Sequence, residues 1–161
     1  MNNSHKAQVK DKLVTFTHIG NGVLPNFNQV TSVAVIPFTK DGNLVVVNLR
    51  HRGLDLPGGH VEPFETSPEE TMNREVMEEA SMTIRDSALV DVVESNYFDD
   101  RKSYMLLYAA YVDELKDFVQ NDESSERIII SIEDFIQQYT AWDKVLMNDA
   151  ITRGWKLLQN V

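Results

Sequence analysis

Two neighbouring stretches decide the expected fold: Leu56–Glu65 (LPGGHVEPFE) and Ser67–Ala80 (SPEETMNREVMEEA). The first carries paired glycines, which mark a backbone that bends sharply or that another group approaches closely. The second opens with a helix signal. Ser67 can cap the first turn, Pro68 suits the first helical position, and Glu70 completes a capping box. The sequence therefore predicts a glycine turn that leads into an acidic helix.

Three carboxylates of that helix lie on one face, because Glu75, Glu78 and Glu79 are spaced at i, i+3 and i+4. Like charges at this spacing repel, so acidic helices are usually solvated faces. A hard cation such as Mg²⁺ reverses the sign, since it prefers oxygen ligands. Arg74 can orient a carboxylate from the same helix. Two more glutamates, Glu62 and Glu65, lie in the preceding loop and favour a metal and polyphosphate site.

Together these residues resemble the Nudix box. Its pattern is a glycine, five residues, a glutamate, seven residues, and then R-E-U-x-E-E-x-G-U, where U is aliphatic. Gly59, Glu65 and Arg74–Glu79 match it, as does the lead-in Leu56–Gly58. The resemblance implies a Nudix-like α/β/α sandwich with a mixed β-sheet over most of residues 30–160.

Carried over position by position, the resemblance implies a site for Mg²⁺ or Mn²⁺. Glu75 and Glu79 would be the main metal ligands, joined by Glu78 and by the carbonyl of Gly59. The metal would neutralise charge on the substrate phosphates and activate water near neutral pH.

The catalytic roles also follow from the resemblance. Arg74 would hold the box together through an ion pair with Glu65. One glutamate would orient or deprotonate the attacking water, and family members differ in which one. Glu78 and Glu79 are candidates within the box. Glu123 is the downstream candidate, and a solvated acidic loop residue is an equally good interpretation of it.

The sequence departs from the pattern in three places. Eight residues rather than seven separate Glu65 from Arg74, and Ser67 is interpreted as the insertion, which puts the Glu65–Arg74 pair in question. Phe64 stands where the family often has glycine. Ser81 replaces the last glycine of the box, which normally ends the helix in a left-handed conformation. We expect the serine to cost about 1 kcal/mol.

Length and composition favour one globular domain. The 161 residues are expected to form a single domain, 31–161, preceded by an N-terminal extension, 1–30. The extension carries no usable resemblance, and whether it is part of the same fold is left open at this point. The absence of cysteine excludes disulfides and thiolate metal sites. A net charge of −10 argues against a nucleic-acid partner. The polar N-terminus and the lack of a long apolar run predict a cytoplasmic protein without a membrane partner.

The remaining pattern predicts an α+β or α/β fold, because strands and helices mix without regular alternation. A hairpin at Lys40–Gly42 joins the first two expected strands. The expected strands are 31–38, 43–49, 89–95, 104–112 and 127–131. The expected later helices are 132–139 and 144–159, with Trp142 and Trp155 packing the C-terminal helix.

The function expected from the resemblance is hydrolysis of a diphosphate linkage in a nucleoside diphosphate-X substrate. A nucleoside triphosphate or its oxidised form is the leading candidate. The main alternative is a Nudix-like sensor that binds a nucleotide or nucleotide sugar without cleaving it, although the intact glutamates argue against it. Isoprenoid diphosphate isomerases of this fold use a catalytic cysteine, which this chain lacks. Family members often pair as dimers, so a homodimer is compatible with the resemblance.

Overall fold

The computed structural model describes residues 3–161, in which nine strands and three helices are found. The strands are β1 (Ser4–Val9), β2 (Lys12–His18), β3 (Val30–Phe38), β4 (Leu44–Leu49), β5 (Gly53–Asp55), β6 (Gly58–His60), β7 (Met82–Ser95), β8 (Ser103–Leu115) and β9 (Ser124–Ile130). The helices are α1 (Pro68–Ala80), α2 (Ile132–Gln138) and α3 (Lys144–Leu158).

The strands form one sheet in the order β1-β2-β7-β8-β3-β4-β5, with β6 paired to β3 and β9 paired to β4. Strands β3 and β8 run parallel, and the other pairs are antiparallel. The sheet is therefore mixed, as expected from the sequence.

Helices cover both faces of this sheet. Alternate side chains of a strand point to opposite faces, so Val33 and Val35 pack with α1 while Ile36 packs with α3. The apolar stripe of α1 consists of Met72, Val76 and Ala80, each at most 1% exposed. The resulting α/β/α sandwich confirms the predicted fold class.

The helix boundaries agree closely with the sequence pattern. Helix α1 begins after Ser67, whose hydroxyl accepts the N–H of Glu70, and α3 begins after Asp143, which caps two N–H groups. The Glu70 carboxylate completes a variant of the capping box, because it accepts the N–H of Thr66 rather than that of Ser67. None of the helices within residues 3–161 combines the length and apolarity needed to cross a bilayer.

The structure differs from the sequence-based assignment mainly in strand β7 and at the N-terminus, and it adds the short strands β5 and β6. Strand β7 begins directly after α1, at Met82, and not near residue 89. Its polar segment hides the strand pattern because the β7–β8 register shifts between Arg85 and Ala88, with Asp86 at a φ of 54°. Strands β1 and β2 also extend the same sheet beyond β7. The domain boundary at residue 30 stays a prediction.

Candidate active site

The glycine turn brings the backbone against strand β3 and helix α1. A Cβ atom at Gly58 would lie 2.6 Å from the Ala34 Cα, and one at Gly59 would lie 2.5 Å from an oxygen of Glu75. Only glycine permits both approaches. The Gly58 N–H donates to Oε1 of Glu79 at 2.7 Å, so the turn touches two carboxylates of α1.

Arg74 joins the loop to the helix through five hydrogen bonds. Its guanidinium donates to both oxygens of Glu65, at 2.9 and 3.0 Å, and to the His60 carbonyl at 2.8 Å. It also donates to Glu75 at 2.7 Å and to Glu78 at 3.2 Å. The fork geometry of arginine suits such a bidentate contact, and the contact sets the orientation of the surrounding carboxylates.

Glu65 is the buried anchor of this network. Its side chain is 2% exposed, and it accepts further hydrogen bonds from the Glu62 N–H and the Thr71 hydroxyl. The hydrogen bonds from Arg74 lower the pKa of Glu65 to about 2, against an opposing effect of burial. The carboxylate is therefore ionised across the whole physiological range.

The extra residue between Glu65 and Arg74 does not separate the pair. Ser67 serves as the N-cap of α1. Thr66 is held just before it, because its N–H and its hydroxyl each donate to the Glu70 carboxylate at 3.0 Å. The loop thus absorbs the longer spacing outside the helix, where insertions are least costly.

The carboxylates of Glu75, Glu79 and Glu123 form a cluster, with one oxygen of each within 4.8 Å of the others. Glu75 and Glu79 are 5% and 2% exposed, whereas Glu123 is exposed. Glu78 lies outside this group, with a side chain that is 59% exposed and paired to Arg74. Its role as a metal ligand stays a prediction.

Burial raises the pKa values of the two buried glutamates in this cluster. Burial raises the pKa of Glu79 to about 8, and the nearby Glu75 and Glu123 raise it further, although the Gly58 N–H opposes them. Burial also raises the pKa of Glu75, against the effect of Arg74. Three converging carboxylates, two of them buried with raised pKa values, are the donor set that a hard divalent cation stabilises, so the residues fit Mg²⁺ or Mn²⁺.

A loop before β9 delivers Glu123 to the cluster. The side-chain oxygen of Asn121 accepts the N–H groups of Glu123 and Ser124, both at 2.9 Å, in an Asx-type turn. The Ser124 hydroxyl donates to the Glu79 carbonyl at 2.7 Å, and the Asn121 amide donates to the Glu78 carbonyl. Sequence reasoning missed both supports, although an Asn before Glu123 is a recognisable turn signal.

The end of α1 tolerates the serine that replaces glycine. Ser81 has left-handed backbone angles, φ 52° and ψ 49°, as the family pattern implies. Its hydroxyl accepts the Val119 N–H at 3.1 Å, and Arg127 donates to the carbonyls of Ala80 and Ser81. These hydrogen bonds offset part of the backbone strain.

A cleft of about 660 Å³ contains the carboxylate cluster. Its wall also includes His51 and Arg52 from the β4–β5 connection, Asp55 at the end of β5, and Trp142 from the α2–α3 loop. Arg50 is not among the lining residues and instead donates to the Asn121 carbonyl.

The aromatic residues divide between core and cleft. Trp155 packs against Phe38 and Tyr111, as expected for a residue of the C-terminal helix. Trp142 packs at the start of α3 and also lines the cleft, where the sequence had suggested only packing.

Comparison with known proteins gives a family assignment. A family model described as the NUDIX domain matches residues 28–150. The chain belongs to the Nudix family. No curated protein sequence matches it significantly.

Solved structures share the fold of this Nudix protein. A mutant of the Bacillus subtilis pyrophosphohydrolase BsRppH is similar at a TM-score of 0.70 and 16% identity, covering 97% of this chain and 96% of that chain. The NUDIX domain of Shewanella oneidensis NrtR complexed with ADP ribose is similar at a TM-score of 0.62 and 21% identity, and the match covers 77% of this chain and 86% of that chain. A Caenorhabditis elegans Ap4A hydrolase binary complex is similar at a TM-score of 0.58 and 17% identity, and the match covers 81% of this chain and 98% of that chain.

Proposed function

We propose that this Nudix protein is a Mg²⁺- or Mn²⁺-dependent hydrolase that cleaves a diphosphate linkage in a nucleoside diphosphate-X substrate. The observation that carries the proposal is the cluster of two buried glutamates, Glu75 and Glu79, with the exposed Glu123 at the wall of an open cleft. Without a cation such a cluster is unfavourable, and a polyphosphate bound alone to a chain of net charge −10 would be repelled.

In this proposal Glu75, Glu79 and Glu123 hold the cation, with the Gly59 carbonyl as a further ligand. Glu78 is the family-derived ligand at the solvent-exposed rim. When bound, the metal neutralises charge on the phosphate oxygens and lowers the pKa of water.

The protein's own residues supply position and proton transfer. Arg74 and Glu65 keep the helix and the glycine turn in register, so that the ligands converge before substrate arrives. Glu123 is our candidate for the group that orients or deprotonates the attacking water, because it is the exposed member of the cluster. Water adds to one phosphorus atom, the bridging oxygen leaves with the other phosphate, and one proton is released.

The family assignment and the cleft support a nucleotide-like substrate. A nucleoside triphosphate or its oxidised form is our leading candidate, giving a nucleoside monophosphate and pyrophosphate. We propose a cytoplasmic location, where such substrates and Mg²⁺ occur together. A homodimer is a further prediction from the family.

The test is turnover by the purified protein of a panel that contains nucleoside triphosphates, dinucleoside polyphosphates, ADP-ribose and nucleotide sugars. Each substrate is incubated with Mg²⁺, with Mn²⁺ and with EDTA, and the phosphorylated products are identified. Metal-dependent release of a monophosphate with a second phosphorylated product supports the proposal. Glu79→Gln is the negative control, and Asp41→Asn, an exposed turn residue outside the cleft, is the matched surface control.

Tight binding of one panel member without turnover under any metal condition would contradict hydrolysis. That result would favour the sensor, the alternative left open by the sequence.

A further inference from the structure

A pair of histidines lies at the β1–β2 edge of the sheet, away from the glutamates beside β6. His5 of β1 and His18 of β2 project from the same face, because His5 pairs with Phe16 and His18 follows two residues later. Their ring centres are 5.3 Å apart. The ring of Trp142 lies 5.4 Å from the first imidazole and 5.6 Å from the second. The N-terminal hairpin and the loop before α3 therefore meet at these two imidazoles.

The nitrogen atoms of the two imidazoles lack the partners that buried polar atoms usually have. Both ring nitrogens of His5 and Nε2 of His18 are buried, and they form no hydrogen bond within residues 3–161. Buried polar groups without a partner are rare in folded proteins, so each points to a ligand or to a role. A neutral imidazole nitrogen that accepts no hydrogen bond is free to coordinate a transition metal.

Asp91 of β7 orients His18 for such a role. Its carboxylate is buried, and Oδ2 lies 2.6 Å from Nδ1 of His18. The other oxygen accepts the N–H groups of Gly20 and Val92, both at 2.9 Å, which hold the carboxylate in place. In the neutral ring this acceptor keeps the proton on Nδ1 and leaves the lone pair on Nε2. The same carboxylate–histidine pairing orients the histidine ligands of metal sites.

The distance between the two rings suits one shared cation. Two imidazoles that bind one Zn²⁺ at about 2.1 Å in a tetrahedral arrangement have ring centres about 5 Å apart. The observed separation of 5.3 Å agrees with this value. Burial and the neighbouring His18 lower the pKa of His5, although the Asp143 carboxylate opposes them. The His5 ring is therefore neutral at pH 7, as a metal ligand must be.

We propose that His5 and His18 bind a transition-metal ion of the zinc class, with Asp91 as a positioning residue and water at the remaining coordination positions. The carboxylates of Asp91 on β7 and Asp143 before α3 supply negative charge, which favours a cation here. Imidazole nitrogen suits Zn²⁺ and Ni²⁺, whereas the carboxylate cluster suits Mg²⁺ and Mn²⁺. The bound ion joins β1 to β2 beside Trp142, and this inference does not depend on the proposed hydrolysis.

The test uses Trp142 as a reporter of metal binding. Ni²⁺ quenches the fluorescence of an indole ring next to it, and the second tryptophan, Trp155, packs against Phe38 and Tyr111 instead. The full-length Glu79→Gln chain is titrated with Ni²⁺ in excess Mg²⁺, so that the carboxylate cluster does not compete. We expect saturable quenching by one Ni²⁺ per chain, reversed by Zn²⁺. Trp142→Phe in the same background should lose the quenching and keep Ni²⁺ binding measured by calorimetry.

Glutamine variants test each imidazole. His5→Gln and His18→Gln should each weaken Ni²⁺ binding by at least about tenfold. His51→Gln, the same exchange at an exposed histidine, should leave the affinity unchanged. Circular dichroism and urea unfolding check that the variants fold. His5 lies on the edge strand β1, so its exchange decides the question if His18→Gln does not fold.

Asp91→Asn tests the positioning role. The asparagine oxygen can still accept the N–H groups of Gly20 and Val92, but its amide then donates to Nδ1 of His18. The ring proton moves to Nε2, which can no longer bind the ion. We expect the Ni²⁺ affinity to fall about tenfold or more, together with a change of the His18 tautomer measured by NMR of the ring nitrogens. A loss of packing alone would not change the tautomer.

Three outcomes would overturn the metal site. The first is a wild-type chain whose Trp142 fluorescence Ni²⁺ does not quench in a saturable way. The second is an unchanged Ni²⁺ affinity in His5→Gln. The third is an equal loss of affinity in His51→Gln, which would assign the ion to exposed histidines. Each is measured without a nucleotide, so turnover or its absence in the hydrolysis test leaves the result unaffected.

Discussion

Replacing Glu79 with glutamine should stabilise the metal-free protein while removing its activity. Glu79 is 2% exposed, and burial raises its pKa from 4.5 to about 8. The folded state therefore holds a proton that the unfolded state releases. This contribution to stability is present in full below pH 4.5 and is lost as pH rises through about 8.

The magnitude follows from this pKa shift. At pH 7 the solution is about 2.5 units above the pKa of 4.5 that Glu79 has in the unfolded chain. At 1.36 kcal/mol per unit, the free energy of unfolding is therefore lower than at acid pH by roughly 3 kcal/mol. Above pH 8 the loss approaches roughly 5 kcal/mol. Glutamine avoids this loss, because its oxygen can still accept the Gly58 N–H and it does not titrate. At pH 7 the melting temperature of Glu79→Gln should exceed that of the wild type by about 6–12 °C.

The assay is thermal and urea unfolding in EDTA at pH 5, 7 and 8.5. The gain should be small at pH 5 and largest at pH 8.5. Millimolar Mg²⁺ should stabilise the wild type and not the variant, and turnover should fall at least about 100-fold. Glu78→Gln, the same exchange at an exposed position, should change metal-free stability by less than about 1 kcal/mol. Equal pH dependence of unfolding in wild type and Glu79→Gln would refute the buried-carboxylate reasoning.

Three further outcomes are expected. Metal binding should release protons, and the metal affinity should increase as pH rises from 6 to 8, because Glu79 must ionise to bind the metal. Calorimetry in buffers of different ionisation enthalpy measures the number of protons released. Binding without proton release would contradict this prediction. Glu65→Gln should lower the free energy of unfolding by about 3 kcal/mol at pH 7, because the lowered pKa of Glu65 stabilises the folded state above pH 4.5. This stabilisation is lost as pH falls towards 2. Urea unfolding measures the difference, and an unchanged free energy of unfolding would exclude a supporting role for the Glu65–Arg74 pair. Ser81→Gly should change the free energy of unfolding by less than about 1 kcal/mol, because the relieved backbone strain offsets the lost hydrogen bond from the Val119 N–H. Ser81→Ala loses the hydrogen bond without relieving the strain, so it should lower the free energy of unfolding by about 1 kcal/mol. Equal unfolding curves for the two variants would contradict this explanation.

Much of the site was accessible from local patterns. Helix α1 has the bounds that its cap and apolar stripe predict, because Ser67, Pro68 and the 3.6-residue period act within a few residues of each other. The shared face of Glu75 and Glu79 follows from the same period. The extra residue between Glu65 and Arg74 put their ion pair in question. In the structure the pair forms, because the loop takes up the extra residue and is held by the Thr66–Glu70 hydrogen bonds.

Long-range relations were not accessible in this way. The sequence alone determined a glycine turn, an acidic amphipathic helix and the family pattern, since these depend on neighbours along the chain. Only the tertiary structure decided that Glu123 joins Glu75 and Glu79 while Glu78 turns to Arg74 and solvent. It also placed Asp55 and Trp142, which are 87 positions apart, on one cleft. Such convergence depends on how the sheet orders its strands and how the helices pack on it, and no periodicity within one segment encodes that arrangement.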